Sequence, residues 1–169
     1  MSSCRPGWAH RCGVVAVVIV LAGVMTGCAA FEIETPDEMI AVEDGNREYV
    51  AMTHDGVVLR VKVLSQGDSR SDDVPSASRS FWVEATREQM RHTGGYALLD
   101  EVEVTSNDGH TGTRLEFGRD QQGKNHIYWL TIFSTDDEIH VIDAGGPEEQ
   151  FEGARDAIER ALASYQVKE

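Results

Sequence analysis

Cysteine is scarce in this chain of 169 residues: there are three, at positions 4, 12 and 28. A secreted domain held by disulfides needs cysteines in pairs through its folded part. Beyond Cys28 there are none, so that architecture is excluded. Long apolar runs are also missing. The longest holds about a dozen residues before Thr26, against the roughly 20 that a spanning helix requires. Among catalytic signatures, the chain has no Gly-x-Ser-x-Gly elbow, no Walker-type Gly-Lys-Ser/Thr, and no two histidines at the i, i+4 spacing of a helical zinc pair. Basic charge is in short supply, with 15 Lys and Arg against 29 Asp and Glu for a net charge of -14. Such a surface repels the phosphates of nucleic acid, which excludes nucleic acid as a partner, and repels anionic lipid headgroups as well. It suits a basic partner, divalent cations or plain solubility. Because the acids are scattered from Glu32 to Glu169 without a long block, solubility ranks first.

What is present begins at the N-terminus. Arg5, His10 and Arg11 precede the uncharged run Gly13 to Val24, which is the layout of a secretory signal peptide. The run closes on Met25-Thr26-Gly27-Cys28. This resembles a bacterial lipobox, with Met25 where Leu is usual, two small residues, and the cysteine that receives lipid. The resemblance implies that residues 1–27 are a cleaved signal peptide and that Cys28 carries a diacylglyceryl thioether. It also makes a membrane the first partner, reached through that lipid. At about 0.8 kcal/mol per buried CH2, two or more acyl chains anchor stably. Ala29, in place of Asp, implies the bacterial cell envelope and, in a bacterium with two membranes, the outer membrane facing the periplasm. Cys4 and Cys12 leave with the signal, so Cys28 has nothing to pair with. No acid precedes it and two basic residues do, which leaves 13 basic residues against 29 acidic and a mature charge of -16.

Residues 28–37 read as a lipidated tether, since Glu, Thr and Pro interrupt any period, and 38–169 read as one globular domain. Glu48 to Thr53 and Val57 to Leu64 flank His54-Asp55-Gly56 and predict a hairpin, with Arg60 and Lys62 on its wet face. Ser65 to Ser78 carries no apolar period and predicts a loop. A helix is predicted over Phe81 to Arg91, capped by Ser80 and ending at Gly94-Gly95. Strands follow over Tyr96 to Thr105, Thr111 to Gly118, His126 to Phe133 and Glu138 to Ala144. Their short connections force antiparallel neighbours. In the third of these, Ile127, Trp129 and Phe133 alternate with Tyr128, Leu130 and Ile132, so both faces are apolar and helices should cover both. After Gly145-Gly146, Pro147 is placed at the first helical position, and Phe151, Ala154, Ile158, Ala161, Leu162 and Tyr165 make one buried helical stripe.

This order is similar to the PsbP-like fold, shared by a photosystem II extrinsic subunit, a Ran-binding nuclear import factor and many small bacterial lipoproteins. The residues that carry the resemblance are the strand Glu138 to Ala144, the link Gly145-Gly146-Pro147, and the helix with Phe151, Ile158 and the closing Ala163-Ser164-Tyr165. The resemblance implies an α+β domain in which an antiparallel sheet of about six strands carries helices on both faces, an α/β/α sandwich. It further implies a non-enzymatic protein-interaction or assembly role with an envelope protein partner. The alternatives are a small-ligand or cation-binding lipoprotein and an unrecognised enzyme.

No cofactor, metal or catalytic residue is singled out by the sequence. Gly145-Gly146 makes a poor phosphate cradle, because Pro147 lacks an N–H and Glu148 and Glu149 repel anions. His54, His92, His110, His126 and His140 read as exposed polar residues. Asp68, Asp72 and Asp73, or Asp136, Asp137 and Glu138, depart from the Asp-x-Asp-x-Asp-Gly calcium loop and read as solvated turns. Phe81 and Trp82 are the candidate partner-binding residues. Adjacent helical positions lie about 100° apart, so a one-sided helix buries one ring more easily than both.

Overall fold

The computed structural model describes residues 29–66 and 78–168. Its centre is a seven-stranded antiparallel sheet. In chain order the strands are β2 (Ile40–Asp44), β3 (Glu48–Met52), β4 (Val58–Ser65), β5 (Ala97–Thr105), β6 (Thr111–Gln121), β7 (Lys124–Ser134) and β8 (Glu138–Pro147). A separate two-stranded pair joins β1 (Phe31–Glu32) to β9 (Gln166–Val167), and the helices are α1 (Arg79–His92) and α2 (Glu148–Ser164). Spatial order in the sheet is β2-β3-β4-β8-β7-β6-β5, so two meanders join where β4 pairs with β8.

Alternation along β7 decides the layering. Ile127, Trp129 and Phe133 join the core beneath α2, whereas Leu130 and Ile132 join the core beneath α1, with Tyr128 packed against it. Each large side chain buried this way contributes about 1.5–3 kcal/mol, and a one-residue slip would exchange the two sets. Both faces of the sheet are therefore covered, as the double alternation predicts. α1 packs chiefly on β5, β6 and β7. On the half of this face formed by β2 to β4, Ile40, Met52 and Leu64 are exposed.

Turn chemistry follows the sequence closely. Asp55-Gly56 closes the β3–β4 hairpin with Gly56 at φ 95°, a conformation that L side chains rarely adopt. Gly145 serves a different purpose: a Cβ there would lie 2.6 Å from the Tyr128 ring, so its absence lets that ring lie across β8.

Four expectations need correction. The sheet has seven strands where about six were expected, because residues 40–44 pair with β3 through a register shift between Ala41 and Glu43. The apolar residues of this strand, Ile40, Ala41 and Val42, are all exposed, so no buried periodicity marks it. α1 is capped by Ser78, whose hydroxyl accepts the Phe81 N–H at 3.3 Å, and not by Ser80. Pro147 ends β8 and caps α2, one position before the first helical residue. Residues 29–37 of the expected tether 28–37 are not free: Ala30 and Phe31 are buried, and Phe31 stacks on Tyr165 with ring centroids 5.8 Å apart. Phe31 looked isolated in sequence because its partners come from the opposite terminus.

Candidate functional site

The long connection between β4 and α1 is rooted at both ends beside the β7–β8 turn. Gln66 donates its backbone N–H to Asp137 O at 2.6 Å. Its side-chain amide donates to Ser134 Oγ and Thr135 O, each at 2.9 Å, and its Oε1 accepts from Trp82 Nε1 at 3.4 Å. The side chain of one residue thus ties the loop entrance, the turn and the first helical turn together. Residues 67–77, which hold Asp68, Asp72 and Asp73 and most of the expected loop, lie outside the described residues.

At this root the two aromatics separate as the helical geometry requires. Phe81 is 57% exposed, whereas Trp82 is half-buried against the core under α1. Their rings meet edge to face at 5.7 Å. A cleft of about 730 Å³ opens alongside, between α1, the edge of β5–β6 and the β7–β8 turn. Three of its charges are paired among themselves. Arg87 bridges Glu84 and Glu101, and Arg79 donates to Thr111 O at 2.6 Å with Glu103 at 3.9 Å. Thr113, Ser134 and Asp136 complete the polar wall.

The buried titratable groups lie elsewhere, inside the layers. His140 is fully buried, contrary to its reading as an exposed histidine. In the structure Phe133 pairs with His140, so the ring points under the end of α2. Its Nδ1 lies 2.7 Å from the Tyr165 hydroxyl, and its Nε2 faces Glu138 Oε2 at 3.5 Å without a formed hydrogen bond. Desolvation holds the His140 pKa below the usual imidazole value, with Glu138 opposing that shift, while burial pushes Tyr165 up. Glu138 in turn binds Arg47 at 2.6 Å. No sequence pattern announces this centre, since its members come from β8, the β2–β3 turn and the C-terminus. On the opposite face, burial raises the pKa of Asp143, and Arg60 and the Tyr128 hydroxyl counter it.

The remaining histidines are ordinary. His54 and His92 are exposed, His126 is half-buried, and His110 Nδ1 lies 2.9 Å from Asp108 Oδ2 in the β5–β6 turn. Among the described residues, no three His, Cys, Asp or Glu side chains come together as a metal site. Gly145 and Gly146 are strand residues of β8, paired with β7, and do not form a phosphate loop.

A second cavity, of about 300 Å³, lies beneath α2 between Val104, Arg114, Thr131, Phe133 and Leu162. The Thr131 hydroxyl is buried there without a hydrogen-bond partner. Beside it Trp129 is clamped between two guanidinium groups, Arg114 at 4.1 Å and Arg155 at 4.7 Å from the ring centroid.

This geometry is an α+β fold of the PsbP-like kind, shared with several solved structures. LpqN of Mycobacterium tuberculosis, described as involved in cell envelope biogenesis, superposes with a TM-score of 0.62 at 12% identity, covering 82% of this chain and 83% of its own. Cyanobacterial PsbP from Synechocystis sp. PCC 6803 gives 0.51 at 12% identity, covering 85% and 96%. A Pseudomonas aeruginosa protein of unknown function, described as a putative regulator, gives 0.51 at 10% identity, covering 78% and 98%. Identities this low establish the shared fold. No protein-family model matches the chain, and no curated protein sequence does so either. Among the described residues no helix is long and apolar enough to cross a membrane.

Proposed function

We propose that this chain is a lipid-anchored protein of the bacterial envelope, attached through Cys28, whose domain docks a protein partner and does no covalent chemistry. The observation that carries the docking role is the root of the 67–77 connection. There an exposed Phe81 sits on a half-buried Trp82 beside an open polar cleft. An aromatic supported from behind but open in front is the kind of rigid anchor that interfaces use. In the cleft Arg87 is already paired with Glu84 and Glu101, and His140, Asp143, Tyr128 and Tyr165, whose pKa values burial shifts, lie within the packed layers. Titratable groups that do not converge on a cleft favour recognition over catalysis. The envelope setting is supported by the lipobox-like Met25 to Cys28 and by the fold shared with LpqN.

The test is crosslinking in intact membranes from a photoreactive residue at Ser80, with Lys124 at the other end of the sheet as control. A specific adduct from Ser80 alone is the expected result. The same mixture from both sites, or nothing from either, refutes the docking role. Anchoring is tested by Cys28→Ser with an acyl-chain label. The variant should lose the label and leave the membrane fraction, and a label that persists refutes lipidation.

A small-ligand role is favoured by one observation of its own, the cavity under α2 with the unpartnered Thr131 hydroxyl. If that cavity is the working site, Thr131→Val, which removes the hydroxyl, should abolish ligand capture while leaving the Ser80 adduct unchanged.

A further inference from the structure

The unexpected burial of the N-terminal segment bears on how the anchored domain stands on its membrane. Cys28 immediately precedes Ala29, and Ala30 is already locked into the fold. Its N–H donates to Asn46 O at 2.9 Å, and its carbonyl accepts the Lys168 N–H at 2.9 Å. The next residue, Phe31, is only 5% exposed and pairs with Val167. Two residues of extended chain reach about 7 Å. A lipid on Cys28 therefore has almost no slack between it and the domain.

We propose, building on the lipid-anchor reading, that the domain stands end-on against the bilayer. The end bearing Asn46, Arg47, Asp136, Asp137 and Lys168 faces the headgroups, and the end bearing His54 and the β6–β7 turn points into water. The antiparallel meanders make these ends well defined. The turns at 45–47, 106–110 and 135–137 lie at the attachment end, and those at 53–57 and 122–123 lie at the opposite one. β8, of 10 residues, runs between them, a span of about 33 Å at the usual rise of a strand. Arg47 and Lys168 share the near end with Asp136, Asp137 and Glu138. Charge of mixed sign does not draw an anionic surface by itself, so the covalent link sets the orientation. The acidic surface elsewhere repels anionic headgroups and keeps the long sides of the domain off the bilayer.

One consequence concerns the docking surface. The cleft beside α1 and the hollow beside Ala29 share Thr135 and Asp136 as a common wall. Ser78 to Trp82 consequently sits at the membrane end, and a partner must present its contact close to the headgroups.

The experiment uses the full lipidated protein, purified from membranes and reconstituted in phosphatidylcholine vesicles containing a headgroup-spin-labelled lipid. Processing removes Cys4 and Cys12, and the thioether blocks Cys28, so a single introduced thiol is the only one available to a fluorophore. Asp137→Cys and His54→Cys both replace exposed side chains in turns. The proposal expects strong quenching at position 137 and none at 54, with unfolding midpoints matching the parent protein. Equal quenching at both positions, in protein that carries the acyl label, overturns the orientation while leaving lipidation intact. Absence of the acyl label overturns the anchor itself. A third sample carries about 20 Gly and Ser residues inserted after Ala29, a coil with an r.m.s. reach of about 25 Å. The difference between 137 and 54 should vanish in it, and a difference that survives overturns the short link as its cause.

Discussion

Tyr165→Phe isolates one buried hydrogen bond. Tyr165 and His140 are both fully buried, and their polar atoms meet at 2.7 Å. The substitution keeps the ring, which stacks between Phe31 at 5.8 Å and Phe133 at 5.6 Å, so no cavity forms. What it removes is the partner of His140 Nδ1, in a side chain whose Nε2 already lacks a formed hydrogen bond. A buried polar atom left unsatisfied costs about 1–3 kcal/mol. For a domain of this size that lowers the unfolding midpoint by roughly 3–12 °C.

Thermal and urea unfolding of residues 29–169, produced without the lipid, measure this loss directly. The pH dependence supplies a second reading. The folded His140 pKa lies below its unfolded value of about 6.5, because burial disfavours the imidazolium. The unfolded chain therefore takes up the proton first as pH falls. Stability is complete above about pH 6.5 and declines below it, through the window between the unfolded and folded values. His140→Gln should flatten that part of the profile. If Tyr165→Phe unfolds together with the parent protein and His140→Gln leaves the acid limb unchanged, the buried pair contributes nothing and the reasoning fails.

Three further outcomes follow from the packing and the surface. Phe31→Ala should cost about 3–5 kcal/mol, since the ring is buried against Tyr165; a midpoint unchanged by chemical denaturation would show the N-terminal segment to be a tether after all. Gly145→Ala places a Cβ 2.6 Å from the Tyr128 ring and should destabilise by about 1–3 kcal/mol, a loss that Tyr128→Ala in the same chain should partly relieve. Phe81→Ala should change stability by no more than about 0.5 kcal/mol, because the ring is mostly exposed, yet it should abolish the Ser80 crosslink. An unchanged crosslink would remove Phe81 from the docking surface.

Legibility in the sequence tracked how local each determinant is. β7 announced its two faces because six apolar side chains alternate within eight residues, and α2 announced its stripe because Phe151 to Ala161 repeats at helical spacing. The hairpin turn at Asp55-Gly56 needs a positive φ and carries the residue that supplies it. β2 failed this test, since its apolar residues are exposed and its pairing is interrupted by a register shift. The β1–β9 pair failed because Phe31 and Val167 are brought together only by the finished fold. His140 shows the same limit within one strand. Its burial depends on Tyr165, 25 residues away.

The candidate site divides along the same line. That Phe81 and Trp82 point in different directions follows from the 100° step of a helix, and the structure gives the exposed role to Phe81. What gives the pair a setting is Gln66, an unremarkable polar residue in sequence, which bonds Trp82 on one side and the β7–β8 turn on the other. The same turn walls the hollow next to Ala29, the residue that follows the proposed lipid. The proposed docking surface and the proposed anchor thus share one turn. A change at Thr135 that moves this turn should disturb the cleft and the seating of the N-terminus together, whereas a change at the β6–β7 turn, at the far end of the same strands, should disturb neither.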